Sequence, residues 1–458
     1  MTLFLYHLPE IKGVFMSMFG SAGIRGLVPE EINEKFARKI GSVTSKLVEK
    51  YGGESICLAT DTRLSNNMLK RAFISGLDTN INVKDFGIVP TPCLALMSKK
   101  FRSFGVMITA SHNPPDYNGF KFFNPRGIAF YSDEEDEFEK IFESIKIIEA
   151  KEKPEIEKIN GIEIFTKEIK NMLPKLDMDY KIVLDMANGA ATRLSEFYKE
   201  LGFDVLEMNE TPDGSFPGRS PEPTESTLQK TIETVKKNNA DFGIAYDGDG
   251  DRIALIDKEG FVPLNEFCAF FAWKRCKVLN NKKVSTNIDA SKIIDVMVAD
   301  AGGQLFKTRV GDVSITYEML RQDGQTAVEQ CGHLFSREFL PGPGPTYSLL
   351  WLFSNMFKTS EIRETIEKFP KFYLKKGKVE VKNKKESMAK IIATLKNKYK
   401  GATINEIDGI RLDWKDSFML IRPSGTEHLI RITCESMDEK KANKLLTDGI
   451  RLVKNNKV

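Results

Sequence analysis

The sequence predicts an α/β protein built from several domains. At 458 residues, the chain is long enough for about three domains of ~150 residues, or more if they are small. Helical patterns alternate with short apolar runs along most of its length, which is typical of βαβ units. A content of 41% hydrophobic and 29% charged residues is ordinary for a globular protein with several cores.

The first region alternates strands and helices up to a lysine- and glutamate-rich run, AKEKPEIEK, at residues 150–158. This change in composition predicts a domain boundary near residue 150. The region's predicted helices lie at about 30–50, at 66–78, after Pro92 and at 132–145; its predicted strands lie at 54–60, 82–86 and 105–110.

The later regions continue the alternation. The second region has predicted strands at 181–187, 203–208 and 241–246, with helices ending at Leu201 and over about 226–238. A third region begins near Glu259, with helices at about 264–276 and 290–301 and strands at 282–287 and 304–308. After a polar stretch at 357–370, the last region has a strand at 376–381, a helix at 384–398, short strands, and a closing helix from about 438 whose apolar face predicts packing.

Charge and cysteine usage exclude several classes of function. A net charge of +3 over 67 basic and 64 acidic residues does not indicate binding to nucleic acid or to a membrane. The six cysteines form no CxxC pair, which favours reduced thiols and a cytoplasmic location. Residues 1–17 lack both a basic start and a small-residue cleavage site, so we predict an N-terminal extension rather than a signal peptide or membrane span.

The stretch TASHNPPDYNGFK, residues 109–121, is the first candidate for chemistry. The apolar strand before it and the prolines after it predict that Ser111 is exposed at the carboxyl end of a strand, where open α/β sheets place their active sites. A serine needs activation to act as a nucleophile, and His112 and Lys121 are close in sequence. From these residues alone, a plain structural turn stays equally possible.

The sequence DGDGD places three carboxylates, those of Asp247, Asp249 and Asp251, two residues apart. The intervening glycines let the backbone curl, so that three oxygen ligands face one cation such as Mg²⁺. An EF-hand is excluded because Arg252 and Lys258 occupy the positions of its glycine and glutamate. A DxDx[TV] phosphatase motif would need Thr or Val in place of Asp251. A solvated acidic turn stays the alternative, although the aspartates repel one another without a cation.

Two further loops carry candidate phosphate ligands. In RPSGTEH, Arg422 can bind phosphate with two hydrogen bonds, while Ser424, Gly425 and Thr426 offer hydroxyls and open backbone N–H groups. A hairpin loop without a ligand is the alternative. In GSAGIRG, residues 20–26, Arg25 is the only charged residue, and a solvated turn arginine is the simpler interpretation.

Together, SHNP, YDGDGDR (246–252) and IRPSGTEH (421–428) resemble the α-D-phosphohexomutase family of phosphoglucomutases, phosphomannomutases and phosphoglucosamine mutases. The resemblance runs from about Phe19 to the C-terminus. It implies a four-domain phosphohexomutase-like architecture, with three mixed α/β domains and a smaller C-terminal α+β domain around a central cleft. The implied domains are 18–150 with the catalytic serine, 151–258 with the metal loop, 259–370 with the sugar-binding loop and 371–458 with the phosphate-binding loop, after the extension 1–17.

The resemblance also implies roles for particular residues. Ser111 would carry a phosphate, bridged by Mg²⁺ to the three aspartates, and would pass it to a hexose phosphate through a hexose 1,6-bisphosphate. Lys121 and His333 would be the general base and acid, with Arg25 and His112 in support. Arg252 would border the metal loop, and Arg422, Ser424, Gly425 and Thr426 would hold the phosphate that is not reacting.

The segment VEQCGHLF, residues 328–335, departs from the family pattern Gly-Glu-x-Ser-Gly-His. Glu329, Gly332 and His333 match, whereas Val328 replaces the first glycine and Cys331 replaces the serine. By resemblance, Glu329 and Cys331 would hold sugar hydroxyls.

The predicted function is interconversion of hexose 6-phosphate and hexose 1-phosphate, of the phosphomannomutase/phosphoglucomutase type. A phosphoglucosamine mutase is an alternative within the family. A Mg²⁺-dependent sugar phosphatase would use the same groups but transfer the phosphoryl group to water, and a non-catalytic sugar-phosphate-binding relative would show no turnover. The sequence leaves the preferred sugar and the oligomeric state open.

Overall fold

The structure of the chain is a computed structural model that describes residues 18–20, 22–147, 154–174, 179–399, 401–425 and 427–458, without the side chains of 397 and 398. The extension predicted at residues 1–17 therefore lies outside the described residues. The chain divides into two compact units. The first unit contains Met1–Pro263 and Gly332–Met356, and the second contains Leu264–Cys331 and Phe357–Val458.

The first sheet of the first unit carries the SHNP loop. Its strands are β1 (Ile24–Leu27), β2 (Ser55–Thr60), β3 (Asn82–Ile88), β4 (Phe104–Ile108), β5 (Tyr117–Phe123) and β6 (Ile156–Lys158). Their order is β1-β5-β4-β2-β3-β6, in which β4, β2, β3 and β6 are parallel while β5 is antiparallel to both β1 and β4. The sheet is thus mixed, with its antiparallel strands at one edge.

Helices cover both faces of this sheet. They are α1 (Glu34–Lys50), α2 (Asn66–Ser75), α3 (Thr91–Phe101), α4 (Asp133–Ser144) and α5 (Gly161–Met172). The side chain of Asn33 caps α1 by accepting a hydrogen bond from the backbone N–H of Phe36. Helices α1, α2 and α4 share one apolar core with alternate strand residues such as Ile56 and Leu58, whereas α3 packs against β2, β4 and α5. This alternation follows from the two-residue period of a strand.

The second sheet of the first unit carries the aspartate loop. Its strands are β7 (Lys181–Asp185), β8 (Asp204–Met208), β9 (Phe242–Tyr246), β10 (Ile253–Asp257) and β11 (Gly260–Phe261), in the order β11-β10-β9-β7-β8. A 3-10 turn (Ala190–Arg193) and the helices α6 (Ser195–Glu200) and α7 (Gln229–Lys237) connect them. Strands β9 and β10 form an antiparallel hairpin, in which Tyr246 pairs with Ile253. The aspartate loop is the connection of this hairpin.

Residues 332–356 pack with the second sheet, although they follow much later in the chain. They form β15 (His333–Ser336) and α11 (Pro345–Ser354). The ring of Phe353 stacks on that of Phe242 at a centroid distance of 4.8 Å, and the hydroxyls of Tyr246 and Thr346 lie 2.9 Å apart. This packing brings His333 into the first unit.

The second unit contains two further sheets. One has parallel strands in the order β13-β12-β14, where β12 is Lys283–Asn287, β13 is Gln304–Thr308 and β14 is Thr326–Glu329. Around it lie α8 (Leu264–Val278), α9 (Lys292–Asp300), α10 (Asp312–Arg321) and α12 (Glu361–Ile366). Glu329 ends β14, so the predicted sugar-binding loop begins at the carboxyl end of a strand.

The last sheet is antiparallel throughout its described strands. They are β16 (Tyr373–Glu380), β17 (Thr403–Asn405), β18 (Ile410–Trp414), β19 (Ser417–Pro423) and β20 (Leu429–Ser436), in the order β16-β20-β19-β18-β17. Helices α13 (Lys384–Lys398) and α14 (Glu439–Asn456) accompany it. In α14, Ala442, Leu445 and Val453 are buried, which confirms that the closing helix packs. The RPSGTEH loop connects β19 and β20.

These mixed α/β sheets confirm the predicted α/β fold class. Among the described helices, none is both long enough and apolar enough to cross a membrane. No disulfide joins the six cysteines, all of which lie in the described part of the chain. The cytoplasmic location stays a prediction from the cysteine pattern.

Candidate active site

Ser111 lies in the tight turn that follows β4. Its φ of 53° is left-handed, a conformation that costs free energy for any residue other than glycine. The turn is held locally, because the backbone N–H of Ser111 donates to the Thr109 hydroxyl at 2.8 Å. The sequence predicted an exposed serine, and this is wrong, since Ser111 is only 1% exposed. The aspartate loop covers it so closely that a Cβ on Gly248 would lie 2.6 Å from the Ser111 carbonyl oxygen.

Arg63 holds the serine loop in place, a role that the sequence analysis did not assign to it. Its buried guanidinium donates to the carbonyl oxygens of Ser111 at 2.9 Å, Asn113 at 2.6 Å and Tyr117 at 2.7 Å. Asp61 pairs with the Nε of Arg63 at 3.1 Å. An arginine has five donors in a rigid fork, so one side chain can fix several carbonyl groups. The signal available in the sequence was a charged pair directly after the apolar strand ESICLA.

The aspartate loop brings its three carboxylates together. One carboxylate oxygen from each of Asp247, Asp249 and Asp251 lies within 4.8 Å of the others, and all three residues are buried. Gly250 has a φ of 72°, which is the backbone freedom that the sequence assigned to this loop. The Ser111 hydroxyl donates to the Oδ2 of Asp247 at 2.9 Å. The structure thus joins the first two sequence motifs into one site.

Burial and neighbouring charges shift the pKa values of the three aspartates in different directions. Burial, together with the charges of Asp249 and Asp251, raises the pKa of Asp247 well above its usual range. Burial also opposes ionisation of Asp249 and Asp251, but the ammonium of Lys121 contributes enough attraction to lower the pKa of both. The Oδ1 of Asp249 is buried and has no hydrogen-bond partner among the described residues. An orphaned oxygen beside two other carboxylates fits a divalent cation, which prefers oxygen ligands.

Lys121 lies on β5, opposite Met107 of β4. Its Nζ donates to the Oδ2 of Asp249 at 2.7 Å and to the Oδ2 of Asp251 at 2.6 Å. An ammonium in this double contact is protonated, so its predicted role as a general base requires that it first lose a proton. The Thr91 hydroxyl also donates to the Oδ2 of Asp249 at 2.6 Å, a contact that the sequence did not predict.

His112 lies beside the serine. Its Nδ1 is 3.4 Å from the Ser111 hydroxyl oxygen. Burial and the nearby charges of Arg252 and Arg25 lower the pKa of His112 to about 2, so this imidazole is neutral. The Nη1 of Arg25 donates to the Oδ1 of Asn113 at 3.1 Å, which places the arginine at the edge of the serine turn.

His333 reaches the aspartate loop from β15. Its Nε2 lies 3.1 Å from the Oδ1 of Asp251 and 3.2 Å from the Nε of Arg252. One ring nitrogen cannot both donate to the carboxylate and accept from the guanidinium at the same time. The Nε2 of His333 therefore bonds Asp251 when it carries a proton and Arg252 when it does not. A group that exchanges a proton during a reaction needs such partners.

The remaining predicted residues lie in the second unit. The Oε1 of Glu329 accepts from the Nδ2 of Asn287 at 2.8 Å and from the backbone N–H of Gly311 at 3.2 Å. The Sγ of Cys331 donates to the Oε2 of Glu329 at 3.3 Å. The predicted hydroxyl-binding pair is thus a pair in direct contact.

The phosphate loop follows β19. The Nη1 of Arg422 lies 3.9 Å from the Oδ2 of Asp408, and the Ser424 hydroxyl accepts from the backbone N–H of Glu427 at 3.3 Å. A Cβ on Gly425 would meet no other heavy atom within 4 Å, so its backbone is open to a ligand. Thr426, the remaining predicted residue of this loop, lies outside the described residues.

Comparison with known proteins identifies the family. The chain matches all four domains described for phosphoglucomutase/phosphomannomutase: α/β/α domain I at residues 16–149, II at 163–260, III at 264–372 and the C-terminal domain at 376–451. It is 35% identical to a phosphoglucomutase/phosphomannomutase of Thermococcus kodakarensis, over 95% of this chain and 98% of that protein. It is 33% identical to a probable phosphoglucosamine mutase of Methanocella arvoryzae, over 96% of this chain and 98% of that one.

A solved structure agrees with these relatives. The crystal structure of a phosphoglucomutase/phosphomannomutase family protein from Burkholderia thailandensis is 26% identical, with a TM-score of 0.85 over 97% of this chain and 98% of that one. The family models and these relatives define an enzyme that moves phosphoryl groups on sugars. The chain belongs to the phosphoglucomutase/phosphomannomutase family, the α-D-phosphohexomutases.

Membership confirms three predictions made from the sequence. The architecture has the four domains of a phosphohexomutase. The protein is an isomerase, more narrowly an intramolecular phosphotransferase. Its activity is that of a hexose phosphate mutase. Its relatives at 33–35% identity include proteins named phosphoglucomutase/phosphomannomutase and probable phosphoglucosamine mutase.

Proposed function

We propose that the enzyme isomerises hexose phosphates by a phosphate carried on Ser111. In the first step, a free hydroxyl of the hexose phosphate attacks phosphorus, the bond from phosphorus to the serine oxygen breaks, and a hexose 1,6-bisphosphate forms. After this intermediate turns around, the serine oxygen attacks its other phosphate, and the isomeric monophosphate leaves. Each step exchanges one P–O bond for another, so phosphate is neither gained nor lost.

One observation carries this proposal: the Ser111 hydroxyl lies 2.9 Å from the Oδ2 of Asp247, within a buried loop of three aspartates. A serine hydroxyl is a weak nucleophile at its own pKa and needs activation by its surroundings. The left-handed turn and the donors of Arg63 hold this hydroxyl against the carboxylates. A strained backbone conformation costs free energy and persists only where the surrounding packing holds it. Such strain is common at functional sites, where it positions a reacting group.

We infer that Asp247, Asp249 and Asp251 hold Mg²⁺ together with the phosphate on Ser111. The buried, unpartnered Oδ1 of Asp249 supports this assignment. When bound, the cation neutralises charge on the phosphoryl oxygens and orients them for in-line transfer. Lys121 then has to share its two carboxylates with the cation, because it donates to Asp249 and Asp251 in the present arrangement.

We assign the proton transfers to Lys121 and His333. The attacking hexose hydroxyl loses its proton to a base, and the serine oxygen that leaves phosphorus regains one from an acid. Lys121 would act as the base after it has given up a proton, since it donates to both Asp249 and Asp251 in the present structure. His333 has a partner for its Nε2 with or without a proton there, Asp251 in the first case and Arg252 in the second. Arg25 and His112 line the serine turn as supporting groups.

Three further elements would recognise the substrate. Arg252 borders the metal loop, while Glu329 and Cys331 would hold sugar hydroxyls. Arg422, Ser424, Gly425 and Thr426 would bind the phosphate that is not reacting, since a guanidinium and open backbone N–H groups suit a phosphate dianion.

The first test combines activity with a map of the phosphate. The purified protein is expected to convert glucose 1-phosphate, mannose 1-phosphate or glucosamine 1-phosphate into its 6-phosphate, and the assay ranks the three sugars. Intact-mass measurement should find a species with one added phosphate, and peptide mapping should place it within residues 105–121.

Two outcomes would contradict this function. Release of inorganic phosphate without isomerisation would make the protein a phosphatase. A phosphate found reproducibly on a residue other than Ser111, in a protein whose Ser111→Ala variant stays active, would refute the covalent mechanism.

A second prediction concerns Cys331, where the chain departs from its family. A thiol is a much weaker hydrogen-bond partner than a hydroxyl, so a sugar hydroxyl recovers less of the energy that it loses on leaving water. Cys331→Ser is expected to raise kcat/KM for the preferred sugar by about 2- to 13-fold, the range of one neutral hydrogen bond. It should also widen the difference between glucose and mannose phosphates, because a stronger contact penalises the wrong epimer more.

The control is Cys276→Ser, a change of the same kind at a buried thiol of the same unit that contacts the carbonyl oxygen of Lys282. It should leave the ratio of kcat/KM values between sugars unchanged. If Cys331→Ser instead lowers activity on every hexose phosphate tested, the thiol is an adapted part of the site and our interpretation of it is wrong.

A further inference from the structure

We propose that Asp408 is a positioning residue that ties the phosphate-binding Arg422 to the loop that holds Glu329. This inference rests on the proposed function, in which Arg422 binds a phosphate and Glu329 binds the sugar. Asp408 touches neither substrate group in this scheme. It would act by keeping the distance and orientation between Arg422 and the Glu329 loop constant.

Asp408 contacts both elements through one oxygen. Its Oδ2 accepts a hydrogen bond from the backbone N–H of Val310 at 3.3 Å and lies 3.9 Å from the Nη1 of Arg422. The turn that carries it lies directly on the backbone of Arg422, since a Cβ on Gly409 would be 2.7 Å from the Cα of Arg422. Gly409 has a φ of 78°, a conformation suited to glycine. Asp408 therefore cannot shift far without moving Arg422.

The loop on the other side of Asp408 leads to Glu329. The backbone N–H of Val310 points to Asp408, and that of the next residue, Gly311, donates to the Oε1 of Glu329 at 3.2 Å. Two successive amides of one loop thus bind two different carboxylates. The side chain of Asn287 fixes the same oxygen of Glu329 at 2.8 Å. A displacement of this loop would change the position of Glu329.

Apolar packing and a further hydrogen bond keep the loop and the turn together. Val310 and Ile407 both pack against a buried cluster of Ile288, Phe418 and Leu420. The Nε of Arg309 donates to the carbonyl oxygen of Ile407 at 3.1 Å. Phe418 and Leu420 belong to β19, the strand that also carries Arg422. The packing therefore fixes the backbone of the residue that is proposed to bind phosphate. Asp408 is the acidic residue of this junction, and its carboxylate contacts both the loop and Arg422.

The negative charge of Asp408 could act on binding in two opposite ways. It holds the long Arg422 side chain in place, which reduces the rotamer freedom lost when phosphate binds. It also competes with the phosphate for the guanidinium. The two effects have opposite signs in KM, so measurement distinguishes them. We expect positioning to dominate, because the Arg422 contact is long, whereas the Val310 hydrogen bond anchors the carboxylate to the loop.

The test compares Asp408→Ala with Asp408→Asn. Asp408→Ala removes the acceptor and is expected to raise KM for the hexose phosphate by about 5- to 10-fold, which lies within the range of one net hydrogen bond, with kcat within about 2-fold of that of the unsubstituted protein. Asp408→Asn keeps an oxygen for both donors, so KM should return to within about 2- to 3-fold. The control Asp416→Ala removes an aspartate that pairs with Lys441 at the opposite end of the same hairpin, and it should leave KM unchanged.

A double variant tests whether Asp408 acts through Arg422. In an Arg422→Met background, adding Asp408→Ala should change KM by less than about 2-fold, because the residue that it positions is gone. A full effect in that background, an unchanged KM in Asp408→Ala alone, or a lowered KM would each overturn the inference. If the protein without any substitution shows no mutase activity, the proposed function itself is refuted. The two failures are therefore distinguishable.

Discussion

Ser111→Ala is expected to abolish isomerisation, with a fall in kcat of at least ~10⁴-fold, the scale of losing a covalent nucleophile. Alanine removes the hydroxyl that donates to Asp247 and leaves the backbone turn without its reacting oxygen. The loss should be in kcat rather than in affinity, because the residues assigned to bind the substrate are unchanged. Calorimetry should find binding of hexose phosphate within about 3-fold of that of the unchanged protein.

The matched control is Ser98→Ala. Ser98 is buried in the same unit, and its hydroxyl bonds to the carbonyl oxygen of Leu94 in α3. This variant loses a buried hydroxyl at a comparable cost in stability, about 1 kcal/mol, without touching the site. Turnover of Ser111→Ala within tenfold of that of Ser98→Ala would show that another residue carries the phosphoryl group.

Asp249→Asn is the second large effect that we expect, with a fall in kcat of at least ~10²-fold, typical of removing one group that stabilises charge in the transition state. Asparagine has the same size as aspartate but no charge, so the substitution isolates the electrostatic contribution. Asp249 is the best position for this test because its Oδ2 already binds Thr91 and Lys121, while its Oδ1 has no hydrogen-bond partner among the described residues. Titration of the protein with Mg²⁺ should also show weaker binding of the cation, which is a readout independent of turnover.

The control for this variant is Asp257→Asn at the other end of the same hairpin. Asp257 is a buried carboxylate away from the site that accepts hydrogen bonds from the backbone N–H groups of Glu259 and Gly260. It should keep near-normal activity. Near-normal turnover in Asp249→Asn, or turnover by the unchanged protein in excess chelator, would contradict the metal assignment.

The charge balance of the aspartate loop explains why a cation should bind there and why the effect of Asp249→Asn should be large. Two like charges about 4 Å apart repel by ~4 kcal/mol at an effective dielectric constant of ~20. Three buried carboxylates can all be ionised at this distance only if cationic groups offset this repulsion. Lys121 supplies part of that offset in the structure, and it faces two of the three aspartates. A cation bound at the loop would supply the remaining positive charge, and its carboxylate ligands are already close together in the structure.

Much of the local structure could be predicted from the sequence. The hydrophobic period places α13 at residues 384–398, as the structure does, and the apolar run QLFKT is β13. Strand β5 was missed, because the prolines before it and the Asn-Gly pair within it signal a turn. The strand forms because its residues pair with both β1 and β4, and such pairing depends on partners elsewhere in the chain.

The sequence by itself determined the chemical groups of this protein: a serine in a turn after a strand, three aspartates two residues apart, and an arginine followed by a small-residue loop. Their types and spacings are local properties, and local backbone preferences are sufficient to interpret them. Only the tertiary structure decided that Ser111 is buried against Asp247, that Arg63 holds the serine turn, and that Lys121 binds two of the aspartates. These contacts join residues between 48 and 136 positions apart in the chain, so no local pattern records them. They arise because the sheets bring distant strand ends together, and packing rather than spacing selects which side chains meet there.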